Sequence, residues 1–216
     1  MPRLPAGEMS AKCLAIVVPV LVFVSTALAQ VNELSVTAGR TFVSTTTIQN
    51  PPPNDPNPNI HFGNPPSVDF GYARFLLHRK IFALYGEVPV AIYFRMNLNT
   101  YADLIPRDIG ALFVTPSARL NIFASNSVTP WVSAGGGYGR FREAPYLIWS
   151  GLNPGPTGTN TGVFQFGAGL DVWYWHTLGF RFEARDFYSG VPALHVDTGN
   201  SRQHNYYVGV GVTHRF

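Results

Sequence analysis

The stretch that decides the fold is YYVGVGVTHRF, residues Tyr206 to Phe216. Its even positions carry mainly large apolar side chains, whereas its odd positions after Tyr207 carry glycine, threonine and arginine. Alternation with a period of two predicts a β-strand whose two faces have different surroundings. Small and polar side chains suit the crowded interior of a narrow barrel, and the apolar face suits lipid. Taken alone, the stretch also fits an edge strand of a soluble β-sandwich.

The composition favours a membrane protein built from strands. Hydrophobic residues make up 46% of the 216 residues and charged residues only 12%, about half of the usual charged share of roughly 25%. After residue 29, no segment approaches the roughly 18 consecutive apolar residues of a membrane helix. The formal net charge is +3, and the Lys and Arg residues are scattered. This distribution gives nucleic-acid binding no support.

Residues 1–29 have the pattern of a cleaved secretory signal peptide. Arg3 and Lys12 supply positive charge, Cys13–Val24 is a short apolar run, and Ala27 and Ala29 form a small-x-small cleavage site before Gln30. The pattern predicts a mature chain of one domain, residues 30–216. Because Cys13 is the only cysteine, the mature chain has neither a disulfide framework nor a cysteine metal site.

Eight strand-like stretches follow, separated by connections that alternate strictly between long and short. Their approximate bounds are 33–45, 67–77, 81–94, 109–123, 130–142, 162–175, 178–188 and 206–216. The first long connection, 48–66, contains seven prolines that exclude a regular strand ladder. Strands of about nine to eleven residues cross a membrane when they are tilted. An even strand count with alternating turns and loops is typical of outer-membrane barrels.

Three local features qualify this pattern. Pro89 lacks an N–H donor, so we expect a β-bulge there. The sequence leaves two orientations open for the Arg74 side chain. The other even positions of its strand are apolar and are expected to face outward, which would place Arg74 in lipid. A bulge or the opposite parity would turn it inward. Glycines at 135–137 and 139 predict a strongly curved strand, since no Lys-Ser/Thr pair follows them as in a phosphate-binding loop.

The signal peptide, the eight alternating strands and Phe216 together resemble the small OmpA/OmpX-like bacterial outer-membrane β-barrel proteins. The stretches YGEVP (85–89) and FEARDFY (182–188) also look like segments of such barrels. The resemblance implies an all-β fold, an eight-stranded antiparallel up-and-down transmembrane barrel in the outer membrane of a Gram-negative bacterium, with both termini periplasmic. It also implies that the barrel assembly machinery recognises the last strand. The residues of that assembly signal are Tyr206, Val208, Val210, Val212 and Phe216.

Charged residues with inward parity are the main candidate site. They are Glu87, Arg119, Asp171, Arg181, Glu183 and Arg185, joined by Arg74 if its strand has the opposite parity. Charges in a narrow lumen must pair, because an unpaired buried charge is costly. We therefore expect a salt-bridge network that fills and stiffens the barrel, and a narrow gated pore is the alternative. Trp173 and Trp175 have inward parity and are expected to close the periplasmic mouth.

The connection before the last strand contains His195, Asp197, Ser201 and His204, residue types found in hydrolase and metal sites. Their spacing supports neither kind of site, so we expect solvated loop residues. The sequence thus predicts a non-enzymatic outer-membrane protein without cofactor or metal. Its role would be structural, with external loops that contact surface ligands. The alternatives are the gated pore and a lipid-modifying enzyme.

Overall fold

In a computed structural model of the protein, the described residues are 32–51, 57–102, 105–124, 126–149 and 151–216. All regular structure in these ranges is β-strand. The described part of the chain contains no helix of the length and apolarity needed to span a membrane. The predicted signal peptide, with Ala27 and Ala29, lies outside the described residues.

Eleven strands form one antiparallel sheet in the described residues. They are β1 (Asn32–Val43), β2 (Thr46–Thr47), β3 (Asn59–Phe62), β4 (Pro66–Arg79), β5 (Phe82–Asn99), β6 (Asp108–Val114), β7 (Ser117–Ile122), β8 (Val128–Glu143), β9 (Thr159–Trp173), β10 (Leu178–Gly190) and β11 (Arg202–Arg215).

The sheet closes into a barrel with eight positions around the ring. Each of β1, β4, β5, β8, β9, β10 and β11 occupies one position, and β6 and β7 share the position between β5 and β8. Pairing of β1 with β11 closes the ring. The short β2 and β3 lie outside it and extend the sheet from the end of β5. The predicted eight-stranded antiparallel barrel is confirmed.

The two ends of the barrel differ as the connection lengths predicted. At one end, here called the short-turn end, the strands are joined at 80–81, 123–127 and 174–177. The chain also begins and ends its barrel there, since the backbone N–H of Asn32 donates to Phe216 O at 2.9 Å. The other, long-loop end carries the connections 44–65, 100–107, 144–158 and 191–201.

The break in the ladder does not lie where Pro89 predicted it. Pro89 pairs in register with Gly71 of β4, so the expected bulge at Pro89 is wrong. The interruption lies across from it, at 115–116 between β6 and β7, where Thr115 N still donates to Pro89 O at 3.2 Å. Pro89 cannot return that hydrogen bond because it has no N–H.

Strand β5 is longer than predicted. Residues 95–99 continue the strand, whereas the sequence indicated a loop from Arg95. A register irregularity between Tyr93 and Met96 changes which positions face inward, so that Met96 and Leu98 become buried. The added residues extend β5 past the long-loop end of the other barrel strands, and β3 pairs with this extension.

Side chains alternate between the two faces of the wall. In β11, Tyr206, Val208, Val210 and Val212 are exposed on the outer face, while Tyr207 and Thr213 are buried inside. The outer faces of β4 and β10 are mainly apolar, with Arg74 and Asp186 as the exceptions. Arg74 lies on the outer, even-numbered face of β4, so its position is settled. Large apolar side chains outside and polar ones inside are the arrangement of a transmembrane barrel.

Candidate functional site: the lumen

The half of the lumen nearest the short turns is filled by charged side chains. The structure places all six residues of the predicted charge set there, together with three that the set lacked. This charged layer consists of Glu33, Asp69, Glu87, Arg119, Asp171, Arg181, Glu183, Arg185 and Arg215. Each side chain is at most 2% exposed, except that of Arg215, which is 19% exposed.

Glu33, near the start of β1, lies between three guanidinium groups. Its Oε1 accepts a hydrogen bond from Arg215 Nε at 2.7 Å, and its Oε2 accepts one from Arg119. Arg181 Nη2 lies 3.7 Å from the same Oε2. One carboxylate therefore joins arginines from three different strands and ties the start of β1 to the opposite wall.

Arg181 and Asp171 form a bidentate ion pair across β9 and β10. They are direct partners in the strand register. Arg181 Nε and Nη2 donate to the two carboxylate oxygens of Asp171 at 2.7 and 2.8 Å. Arg181 Nη1 also donates to Ser35 Oγ at 3.1 Å. Two parallel charge-assisted hydrogen bonds fix both the distance and the plane of the pair.

Arg185 joins the remaining carboxylates at the middle of the lumen. Its Nη1 donates to Glu87 Oε1 at 2.9 Å, and its Nε donates to Glu183 Oε2 at 3.1 Å. Asp69 Oδ2 lies 3.9 Å from Nε. Glu87 is also 3.7 Å from Arg119. The ion pairs thus form one connected network across the lumen.

Trp131 is the largest fully buried side chain and lies among these arginines. Its ring centroid is 5.2 Å from the guanidinium carbon of Arg181 and 5.0 Å from that of Arg185. Its indole N–H donates to Asp171 Oδ1 at 3.3 Å. A Cβ atom at Gly169 would lie only 2.3 Å from the indole, so this glycine makes room for the ring. The geometry suits cation–π attraction in a desolvated site.

The half of the lumen nearest the long loops is filled mainly by apolar side chains, although Glu143, Ser189 and Asn205 are also buried there. This apolar layer has an aromatic centre, in which Phe113 contacts Tyr93, Phe141 and Phe187 at centroid distances of 5.1, 5.6 and 5.4 Å. Toward the loops it continues through Ile48, Ile60, Phe62, Met96, Leu98, Ile105, Ile109 and Leu194. Tyr207 of the apolar layer is linked to the charged layer through Thr37. The Tyr207 OH lies 2.7 Å from Thr37 Oγ1, which in turn donates to Glu183 Oε1.

The mouth at the short-turn end is covered by one of the two predicted tryptophans. The Arg215 guanidinium stacks on Trp173, 3.6 Å from its ring centroid. Trp175 is 61% exposed, so its assignment to the mouth is wrong. The strand ends at Trp173, and inward parity does not extend into the turn that follows.

The loop residues considered for catalysis are not assembled into a site. His204 Nδ1 lies 2.7 Å from Asp186 Oδ2, and the His204 ring is near those of Tyr188 and Tyr206. Asp197 accepts a hydrogen bond from the backbone N–H of Gly199 at 2.8 Å. No hydrogen bond among the described residues joins His195 or Ser201 to His204. In the same ranges, no three metal-ligating side chains gather in one place.

Three residues of the charged layer were missing from the lumen charges predicted from the sequence, for identifiable reasons. Glu33 and Arg215 lie at strand ends, where sequence patterns locate boundaries poorly. Asp69 lies on β4, whose parity was ambiguous around Arg74. Trp131 had the right parity in its strand, but an aromatic near a strand end also fits an interfacial girdle.

Neither a protein-family model nor a curated protein sequence matches the chain. Solved structures do resemble it. Neisserial surface protein A is 11% identical, with a TM-score of 0.50 over 87% of this chain and 96% of that chain. OprG from Pseudomonas aeruginosa is 11% identical, with a TM-score of 0.51 over 86% and 96%. Ail of Yersinia pestis, solved with the heparin analogue sucrose octasulfate, is 13% identical, with a TM-score of 0.49 over 88% and 100%. The chain thus has the fold of the small OmpA/OmpX-like outer-membrane β-barrel proteins.

Proposed function

We propose that this protein is a non-enzymatic outer-membrane barrel with a structural and surface-interaction role and without a permanent channel. The observation that carries the proposal is the filling of the lumen by the charged layer and the apolar layer. Eight strands enclose an interior that side chains just fill. A permanent aqueous path would require displacement of both layers, including ion pairs whose separation leaves buried charges unpaired.

In this proposal the short-turn end is periplasmic, with both ends of the barrel chain, and the long loops face outward. This orientation follows the short-turn and long-loop asymmetry of bacterial barrels. The assembly machinery would have access to the exposed apolar side chains of the last strand, which are those of Tyr206, Val208, Val210, Val212 and Phe216. That role stays a prediction, as does the cleavage of residues 1–29.

The long-loop end offers a surface for contact with another molecule. Tyr101, Tyr146, Trp149 and Leu152 are between 58% and 72% exposed on two neighbouring connections. The connections are themselves joined, because Arg107 N donates to Tyr146 O at 3.0 Å. Exposed aromatic and apolar side chains on an ordered surface are typical of interaction sites. We therefore place the surface-ligand contact at these loops.

The first experiment is gel mobility of detergent-extracted protein, boiled and unboiled, from an outer-membrane fraction. We expect a boiling-dependent shift, because the connected ladder and filled lumen keep the barrel compact in detergent. Planar-bilayer recording of the same material should show no steady conductance. A soluble periplasmic protein without a shift would refute the membrane assignment, and a steady conductance would refute the closed lumen.

The gated pore is a second candidate, favoured by alternative pairings within the charged layer. Glu87 lies near both Arg185 and Arg119, and Arg185 lies near three carboxylates. Exchange between such neighbours is one way in which a charge network rearranges. Brief, voltage-dependent openings that change with Glu87→Gln would support the gated pore over the closed barrel.

A lipid-modifying activity is the third candidate and has the least support. It would use His195 and His204, of which His204 is held by Asp186. We expect membranes containing the wild-type protein, His195→Ala or His204→Ala to have the same lipid profile by mass spectrometry. A product present with the wild type and lost in either variant would establish an enzyme.

A further inference from the structure

The outer face of β8 carries two arginines beside a surface pocket at the long-loop end. Arg140 and Arg142 are exposed and pair in register with Leu112 and Gly110 of β6. Together with Tyr93, Ala111 and Thr157, they line a pocket of about 500 Å³. None of the lining residues is acidic.

Both guanidinium groups are available for a ligand. Within the described residues, Arg140 and Arg142 make neither an ion pair nor a hydrogen bond. Asp108, two positions before Gly110, contacts Arg107 at 3.7 Å. Two other arginines at this end are engaged, since Arg40 donates to Asn64 O at 3.0 Å and Arg202 lies over the Tyr188 ring.

Two glycines keep the space beside these arginines open. Gly110 has no side chain on the outer face of β6, and a Cβ atom there would lie 3.4 Å from Tyr93 O. A Cβ atom at Gly158 would lie 3.4 Å from Arg140 Nη2. The pocket therefore combines two positive charges with a recess next to them, which is the arrangement that binds a planar or tetrahedral anion.

The depth of the pocket in the membrane follows from its neighbours on β8. Tyr138 precedes Arg140 by two residues on the same outer face and is 47% exposed. Outward tyrosines of barrels lie at the membrane–water interface. With about 3.3 Å per residue on a strand tilted by about 40°, Arg140 and Arg142 lie roughly 5 and 10 Å farther out. Because the headgroup layer is roughly 5–8 Å thick on each side, Arg140 lies at the level of the lipid phosphate groups. Arg142 lies at the outer edge of that layer, within reach through its long side chain.

We propose that Arg140 and Arg142 bind the phosphate group of an anionic membrane lipid whose chains lie against Leu112 and Tyr138. A lipid is favoured over free phosphate because the pocket opens on the outer face of the barrel wall, next to the exposed apolar side chains that suit lipid chains. The inference rests on the proposed membrane location. It adds a specific lipid site to a wall otherwise suited to any lipid.

The test uses folded protein in non-ionic detergent micelles and native mass spectrometry to count bound lipid. The probes are dihexanoyl phosphatidic acid, dihexanoyl phosphatidylcholine and inorganic phosphate. We expect the phosphatidic acid to bind most tightly. The double variant Arg140→Gln/Arg142→Gln should weaken its binding by about tenfold or more, since two charge-assisted contacts are lost.

Two further variants separate the pocket from general charge. Arg40→Gln/Arg202→Gln removes the same charge from the same end of the barrel and should change binding less than about twofold, because neither residue lines the pocket. Gly110→Leu keeps both arginines but fills the recess, and it should weaken binding like the arginine double variant. Boiling-dependent gel mobility of every variant checks that the barrel is folded.

Equal loss in the two double variants would overturn the pocket in favour of general charge attraction. Equal binding of inorganic phosphate and phosphatidic acid would overturn the lipid as ligand. No loss in the Arg140/Arg142 variant would overturn the whole inference. Failure of the membrane location itself would appear separately, as wild-type protein that neither fractionates with membranes nor shifts on boiling.

Discussion

The two halves of the lumen fill the same width of barrel with opposite chemistry. In the charged layer, the positions of Glu33, Arg181 and Arg185 are set by directed hydrogen bonds, several of them between 2.7 and 3.1 Å. In the apolar layer, Phe113 and its aromatic neighbours meet by edge-to-face and stacked ring contacts. Dispersion contacts are weak one by one and large in sum.

The difference determines how each half responds to change. Removal of one partner from a buried ion pair leaves a desolvated charge, which costs more than the pair itself contributes. Removal of an aromatic ring leaves a cavity whose cost depends on how far the surroundings relax. In the charged layer, removal of a single charge should therefore lower the free energy of unfolding strongly. Removal of both partners of an ion pair should restore part of that loss. In the apolar layer, the loss of unfolding free energy should grow with the side-chain volume that is removed.

The largest effect is expected in the charged layer. Arg181→Met should lower the free energy of unfolding by about 3–5 kcal/mol, because Asp171 is left buried without its bidentate partner. The double variant Arg181→Met/Asp171→Asn should recover at least half of that loss. Reversible urea unfolding in lipid vesicles measures these two variants and Asp171→Asn alone, which completes the double-mutant cycle. A double variant that loses as much as the sum of the two single variants would contradict the role assigned to the pair.

The aromatic centre should give a graded effect. Phe113→Ala should cost about 3 kcal/mol by the same unfolding measurement, because it opens a cavity between Tyr93, Phe141 and Phe187. Phe113→Leu should cost only about 1 kcal/mol, since most of the volume is kept. Equal costs for the two substitutions would show that ring contacts, rather than volume, stabilise this layer.

A smaller effect is expected where the wall meets Trp131. Gly169→Ala should cost about 2 kcal/mol, because a Cβ atom would overlap the indole ring and the backbone of Phe182. Gly162→Ala in the same strand is the matched control. It has no atom within 4 Å of the added Cβ and should be neutral or slightly stabilising. Similar losses in both variants would place the cost in the strand backbone instead of the lumen.

The smallest effect belongs to the outer wall. Asp186→Asn separates the exposed pair with His204, whose side chains are 22% and 47% exposed. The stability change should be at most about 1 kcal/mol, since exposed ion pairs contribute little. A loss as large as that of Arg181→Met would show that burial is not what distinguishes the charged layer.

Much of the fold was readable from period-two alternation. The outward valines of β11 and the inward residues Glu87, Arg119, Asp171, Arg181, Glu183 and Arg185 follow from strand parity alone, because parity depends only on backbone geometry. Parity failed where the backbone departs from a regular strand. The defect expected at Pro89 lies instead across from it, at 115–116 between β6 and β7. The irregularity after Tyr93 turned Met96 and Leu98 inward.

The amino-acid sequence by itself determined the number of strands around the barrel, its short-turn and long-loop ends and, in the regular strands other than β4, which face points outward. These features depend on neighbours along the chain. Only the tertiary structure decided that Glu33 meets Arg119 and Arg215, that Trp131 lies among three arginines, and that the lumen divides into two layers. These contacts join residues far apart in sequence, and they follow from the register and closure of the whole ring.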